Sequence, residues 1–260
     1  MDQSVEFETV AAKVRHVPGP QIPPHQGRVL YDHLRATKPE TLLELGTAHG
    51  VSAAYIAAAL DANGHGRLTT VDSSQYRRPD PAPEEVLAFV GLRDWVSFER
   101  SYSTYTWFLK EQIEQRSDTS GNCEPLYDFC FLDGAKNWTV DGLAVFLIEK
   151  LLRPGGWLLM DDLGWTYSPD REGWHYSIDI GSLSEKERRE PHMRAVFQLI
   201  VKQHPAFTEL RIQDEWYGWA RKQPDQPRRL TIDTTRSLSS IVLAGMRAAK
   251  RELDERRARR

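Results

Sequence analysis

Two stretches decide how this sequence folds: YDFCFLDGAKNW, residues 127–138, and LLRPGGWLLMDDLGW, residues 151–165. In each, a short apolar run ends in acid, with Asp133 closing the first and Asp161-Asp162 closing the second. Continuous apolar runs of this kind fit strands buried on both faces, as in a parallel sheet covered by helices. Residues 139–152, between them, carry a helical pattern with Leu143, Phe146, Leu147 and Leu151 on the apolar side. Parallel strands joined by a helix present their C-terminal ends, and so all three carboxylates, at one edge of the sheet. In open α/β sheets that edge binds ligands. Three carboxylates there suggest a hard divalent cation, and Lys136 beside them suggests a base.

Upstream, the same alternation repeats. A helix over 25–37 stops at Pro39, and TLLELG (41–46) reads as a strand breaking at Gly46 into the alanine-rich helix SAAYIAAAL. RLTTVD (67–72) and WVSFER (95–100) are further strands, with helices near 84–91 and 104–116. Alternating strands and helices predict an α/β fold: a doubly wound, mostly parallel sheet of Rossmann-like form. FTELRIQ (207–213) and WYGWARK (216–222) lie close enough to make an antiparallel hairpin at one edge. The whole chain, 1–260, reads as a single domain. Residues 1–24 are expected to be a loosely ordered arm or cap, 163–190 a lid-like insert, and 236–260 a terminal helix. That last helix has an apolar stripe of Leu238, Ile241, Val242, Met246 and Leu253, which makes a homodimer an option.

Composition narrows the function. A net charge of −3 gives no electrostatic reason to expect a nucleic-acid partner. The N-terminal MDQSVEFETV lacks the basic and apolar regions of a leader. No apolar run approaches the ~20 residues of a membrane span, so a cytoplasmic protein is expected. Two cysteines, Cys123 and Cys130, support neither a disulfide framework nor a cysteine zinc site.

The first loop, Glu44-Leu45-Gly46-Thr47-Ala48-His49-Gly50, joins a strand to a helix. Gly46 permits a sharp turn and leaves room for a ligand against the backbone. Thr47 and Ser52 add hydroxyls near the helix N-terminus, whose dipole favours a carboxylate. The spacing matches neither the dinucleotide fingerprint nor a Walker loop. Asp72, followed by Ser73, ends the next strand, where an acid can accept two hydrogen bonds from a ribose diol. A loop for a carboxylate and an acid for a ribose together describe an amino-acid nucleoside, and S-adenosylmethionine has both parts.

At this point the sequence resembles a known family. GRVLYDHLRATKPETLLELGTAHGVSAAYIA (27–57), GLRDWVSFERSYS (91–103), YDFCFLDGAKNW and LLRPGGWLLMDDLGW look like the class I S-adenosylmethionine-dependent methyltransferases. Within these they are most similar to the metal-dependent catechol and caffeoyl-CoA O-methyltransferases. The resemblance covers about residues 20–165. It implies a small hydroxylated substrate, catechol-like or a natural-product sugar hydroxyl. It implies that Gly46, Thr47 and Ser52 hold the methionine end and Asp72 the ribose, with Glu44 and Ser73 also at the cofactor. Tyr102 and Ser103 would face the adenine, with Asp133 at the cofactor as well. Asp133, Asp161 and Asp162 would bind Mg²⁺ or another divalent cation, with Lys136 as general base. Asp162 stands where those enzymes have asparagine; a second aspartate is familiar from related enzymes acting on sugar hydroxyls. Two other readings use the same fold: a metal-independent transferase with Lys136 or His175 as base, and a non-methylating protein such as a natural-product cyclase. Trp138 and Trp165, each directly after a site motif, are candidate pocket walls.

Overall fold

The computed structural model describes residues 4–19, 21–74, 79–167 and 180–224. Among these, a seven-stranded sheet has the order β3-β2-β1-β4-β5-β7-β6. The strands are β1 (Thr41–Leu45), β2 (Arg67–Ser73), β3 (Val96–Ser101), β4 (Tyr127–Leu132), β5 (Leu152–Met160), β6 (Phe207–Gln213) and β7 (Tyr217–Lys222). β1 to β5 are parallel, while β7 runs antiparallel to both β5 and β6. The expected doubly wound sheet with an antiparallel edge hairpin is therefore what forms.

The order reverses direction at β1, which pairs with β2 on one side and β4 on the other. This switch point opens a crevice above the C-terminal ends of β1 and β4, where the Gly46 and Asp133 loops leave the sheet. Leu42–Leu45 and Phe129–Leu132 are fully buried, as strands covered on both faces require.

One face of the sheet is covered by α1 (Phe7–Val14), α2 (Pro24–Thr37), α3 (Val51–Asn63) and α4 (Pro83–Val90). Every residue of α3 from Val51 to Leu60 is buried. Its small alanine side chains let α2 and the sheet approach from different sides, and the helix shows no polar stripe. The other face is covered by α5 (Tyr105–Arg116), α6 (Trp138–Leu151) and α8 (His192–Val196), which continues as a π-helical turn through Val201. α7 (Glu185–Arg189) precedes it on the surface. These elements belong to one compact unit that runs to Ser117 and resumes at Cys123. The loop Asp118–Asn122 falls in a separate small unit. Inside it the Asp118 carboxylate accepts from the Ser120 and Asn122 amides, each at 2.9 Å.

Several expectations are corrected. Part of the supposed N-terminal arm is α1, whose Phe7, Val10 and Val14 are buried, with Phe7 stacked on Tyr55 at 5.1 Å. The short apolar spacing of FETVAAKV was hidden by its polar flanks. The apolar side assigned to α6 is also wrong in part: Leu143 and Phe146 are exposed, and Ala144, Val145, Ile148 and Leu151 face the core. The α6 sequence is apolar nearly all round, so periodicity alone does not choose the face. β5 starts earlier than expected, taking in Pro154-Gly155-Gly156. Residues 168–179 of the lid-like insert and the whole terminal helix at 236–260 lie outside the described residues. Among the described residues no helix is long and apolar enough to cross a membrane.

Candidate active site

The site is built where β1, β2, β4 and β5 end. β1 breaks at Gly46, whose φ is +102°. A Cβ there would lie 2.0 Å from the Asp133 carbonyl oxygen, so the β1 and β4 loops touch backbone to backbone. The Gly46 amide donates to Val71 of β2 at 2.9 Å, and the Asp133 amide donates to Leu45 at 3.0 Å. The chain then turns through Ala48 and Gly50, both at positive φ, into α3.

Asp72 sits beside this loop. Its Oδ2 accepts from the Ala48 amide at 2.9 Å and its Oδ1 from the Ser73 amide at 2.7 Å. Burial pushes its pKa up against these bonds and the attraction of Arg100. A carboxylate accepts about four hydrogen bonds, which leaves capacity for a diol. Ser73 donates its hydroxyl to the Ser103 carbonyl at 2.8 Å, tying β2 to the loop after β3. Tyr102 is 78% exposed there, at the rim.

Thr47 and Glu44 turn inward instead. Thr70 donates to Glu44 Oε2 at 2.6 Å, so the Thr47 hydroxyl, 2.7 Å from Thr70 Oγ1, supplies its own hydrogen to Thr70. This chain supports the loop from below, and Thr47's hydroxyl is committed to it. Ser52, buried in the first turn of α3, is the other hydroxyl near Glu44. Glu44 is fully buried, and its Oε1 has no hydrogen-bond partner among the described residues. Burial pushes its pKa up to about 8, against the Ser52 and Thr70 hydroxyls. A carboxyl raised above its unfolded value of 4.5 keeps its proton in the fold while the unfolded chain loses it. Stability therefore falls as pH rises from 4.5 toward 8. Glu44→Gln is expected to remove that slope, gaining up to about 4 kcal/mol relative to the parent between pH 5 and 8. Thermal unfolding across that range reads it directly; parallel pH profiles would mean Glu44 is ionised in the fold.

The acidic cluster follows β4 and β5. Lys136 Nζ lies 2.7 Å from Asp133 Oδ1 and 2.7 Å from Asp162 Oδ2, so one ammonium bridges two strand-end loops. Lys136 and Asp162 both hold positive φ, +57° and +60°. Asp161 is buried and accepts from the Asp162 amide through Oδ1 at 2.7 Å. Burial raises Asp133 to about 6 and Asp161 well above the carboxylate range, each reinforced by the neighbouring acids. Burial pulls Lys136 down, but Asp133 and Asp162 lift it well above the ordinary lysine range. The attraction of its immediate carboxylate neighbours outweighs the effect of burial.

The donor set suits a divalent cation in kind. Three carboxylates against one lysine leave excess negative charge in a buried place, and all the donors are hard oxygens. They are not drawn around a common point: among the described residues no three acidic, histidine or cysteine side chains make a ready metal cluster. Lys136 stands between two of them instead.

Sequence reasoning missed the supports of this cluster. The Tyr105 hydroxyl hydrogen-bonds the buried Asp141 carboxylate, and Tyr167 donates to the Lys136 carbonyl at 3.0 Å. The Trp138 amide donates to His192 Nδ1 at 3.2 Å, which puts the His192 proton on Nε2, facing the Glu187 carbonyl. Tyr217, on β7 next to the end of β5, has a buried hydroxyl with no partner among the described residues, and burial, reinforced by Asp161, Asp133 and Asp162, raises its pKa. None of these carries a sequence signal except Asp141, an acid in the first turn of a helix, and its partner is distant in the chain. Of the two tryptophans taken as pocket walls, Trp165 is buried edge-on against Tyr167, and Trp138 is 41% exposed. His175, with Trp174 and Tyr176, lies outside the described residues.

Residues 43–163 match the family model described as a methyltransferase domain. No curated protein matches the chain. Solved structures do. The O-methyltransferase from Bacillus cereus, in complex with S-adenosylhomocysteine, superposes with a TM-score of 0.56 at 20% identity, over 86% of this chain and 92% of that one. The S-adenosylhomocysteine-bound methyltransferase PaMTH1 of Podospora anserina gives 0.58 at 19%, over 86% and 89%. The O-methyltransferase TomG of Streptomyces achromogenes, involved in tomaymycin synthesis and solved with S-adenosylmethionine, gives 0.54 at 18%, over 86% and 91%. At such identities the likeness is one of fold, the doubly wound sheet that these methyltransferases share.

Proposed function

We propose that this chain, which carries a methyltransferase domain over residues 43–163, transfers a methyl group from S-adenosylmethionine to a hydroxyl oxygen of a small molecule. The observation that carries the proposal is the placement of Lys136, between Asp133 and Asp162, one loop away from the glycine turn at Gly46. The donor's methionine end would lie over Gly46 and the start of α3, with its ribose on Asp72. That brings the sulfonium methyl toward the acidic edge. Structures of the same fold with the cofactor or its product bound support the assignment of the donor.

The acceptor oxygen attacks the methyl carbon as the carbon–sulfur bond breaks, leaving neutral S-adenosylhomocysteine. The hydroxyl proton passes to the Asp133–Lys136 pair. Between two carboxylates Lys136 is an ammonium and a donor. An acceptor hydroxyl that displaces Asp133 from Nζ removes one of the attractions holding that proton; Lys136 passes it to the freed Asp133 carboxylate and, as a neutral amine, takes the hydroxyl proton in turn. Asp133, Asp161 and Asp162 would hold a divalent cation, which when bound acidifies a neighbouring hydroxyl. A second reading, transfer without metal, is favoured by Lys136 itself, which already neutralises two of the carboxylates.

The test is calorimetric binding of S-adenosylmethionine, followed by transfer of labelled methyl to a panel of catechols and glycosides, with Mg²⁺ and with EDTA. Donor binding and Mg²⁺-dependent transfer are expected. Full activity in EDTA would select the metal-free reading. Absence of donor binding would sink both.

A further inference from the structure

We propose that Tyr105 and Asp141 are positioning residues for Lys136, locking the loop that presents it at the sheet edge. This inference rests on the reading of Lys136 given above and adds what holds it in place.

Lys136 has a left-handed backbone, φ +57°, without being glycine. That conformation brings a Cβ-bearing residue into steric conflict with its own backbone and persists only where the surroundings impose it. Here the amides on either side of the lysine are both tied to one buried pair. The Ala135 amide donates to Tyr105 Oη at 3.0 Å, and the Asn137 amide donates to Asp141 Oδ2 at 2.6 Å. Tyr105 in turn donates its hydroxyl to Asp141 Oδ1, which closes the ring. Gly134 completes it by close approach: a Cβ there would fall 2.2 Å from the Tyr105 hydroxyl. Asn137 then caps α6, accepting from the Thr139 and Val140 amides at 2.9 and 3.1 Å.

Asp141 is 0% and Tyr105 5% exposed, so neither can touch an acceptor. Burial raises Asp141 to about 6 and Tyr105 well above its ordinary value, which shows how unfavourable their charged forms are there. Apolar residues would fill the same volume without that penalty. What they could not do is hold the two amides that fix the backbone of Lys136. The pair therefore acts on the chemistry through the loop.

The test uses Tyr105→Phe and Asp141→Asn in the full chain, with Leu109→Ala as a control. Leu109 is fully buried on the same helix as Tyr105 and takes no part in the ring. The first readout is the Lys136 ammonium ¹H–¹⁵N resonance, assigned by its loss in Lys136→Gln. In the parent protein, with Nζ bound to two carboxylates, a slowly exchanging resonance is expected. It should broaden away in Tyr105→Phe and Asp141→Asn and survive in Leu109→Ala. The second is methyl transfer to 3,4-dihydroxybenzoate with Mg²⁺. The ring variants should lose about tenfold or more in kcat, with the KM for S-adenosylmethionine nearly unchanged. An unchanged resonance in both ring variants overturns the proposal. So does equal loss in the control, or no such resonance in the parent. The resonance needs no turnover, so a parent protein without transfer counts against the methyltransferase reading and leaves the ring to be judged by the spectrum.

Discussion

Lys136→Gln is expected to lower kcat by about 10²–10⁴-fold, the range typical of losing a general base, while S-adenosylmethionine still binds. The donor contacts argued for Gly46 and Asp72 do not involve the lysine side chain. Two effects add. The hydroxyl proton loses its acceptor, and Asp133 and Asp162 lose the cation 2.7 Å from each of them. The second effect has its own signature. Removing one partner of a buried ion pair costs about 3–5 kcal/mol when the remaining charges stay ionised. With Lys136 beside it Asp133 is raised to about 6, and without the lysine it is raised further, so the variant should be close to the parent in thermal stability at pH 5 and clearly weaker at pH 8. With glutamine there, ionising the carboxylates goes on costing stability above about 6, where the parent has already levelled off. Kinetics at a temperature where both proteins are folded separates the two effects. Turnover within a few-fold of the parent would remove Lys136 as the base. A flat difference in stability across pH would mean that no carboxylate of the cluster changes its charge in that range.

Gly46→Ala is expected to be as damaging for a different reason. The added Cβ would sit 2.0 Å from the Asp133 carbonyl oxygen and 3.1 Å from the Gly134 Cα, and no flexible side-chain end is there to yield. The φ of +102° is itself poorly tolerated by alanine. Strain and overpacking together should cost on the order of 3 kcal/mol. Part of that is relieved by pushing the β1 and β4 loops apart. That moves the donor loop away from the acidic edge, and a displacement of about 1 Å between reacting groups costs about a hundredfold in rate. Urea unfolding and single-turnover transfer measure the two losses. Gly64→Ala is the comparison: its φ is +74° but nothing lies within 4 Å of the added carbon. It should cost about 1 kcal/mol and spare activity. Equal behaviour of the two variants would show that backbone strain, and not the contact between loops, is what Gly46 answers.

Both predictions concern residues that the sequence made visible, and the reason is local. Gly46, Asp72, Asp133, Asp161 and Asp162 stand at the ends of apolar runs, and a strand end is legible from one short window. The parallel order of β1 to β5 follows from the same windows plus the helices between them. What was not legible depends on the partner across the fold. Thr47 looked like a ligand hydroxyl, but Thr70, 23 residues on, claims it. Lys136 was legible as a candidate base, but not that carboxylates from two different strand ends flank its ammonium and raise its pKa. Tyr105 and Asp141 are 36 residues apart, and neither has a pattern that names the other. α6 was given a partly wrong apolar side, with Leu143 and Phe146 misplaced, because its sequence is apolar on nearly every side, and only the docking of α5 and α8 selects one.

α1 has a consequence for how the chain assembles. Its eight residues are too few to make a stable helix in water by themselves. Phe7 packs on Tyr31 of α2 and Tyr55 of α3, and α1 also meets α4, which ends at Val90. During synthesis at about 5–20 residues per second, the segment waits several seconds, unpaired, before its docking site exists. α1 is therefore made before most of the surface it docks on and is among the last of its layer to become ordered. Sequence changes there should act mainly on the rate of unfolding, leaving the early steps of folding almost untouched.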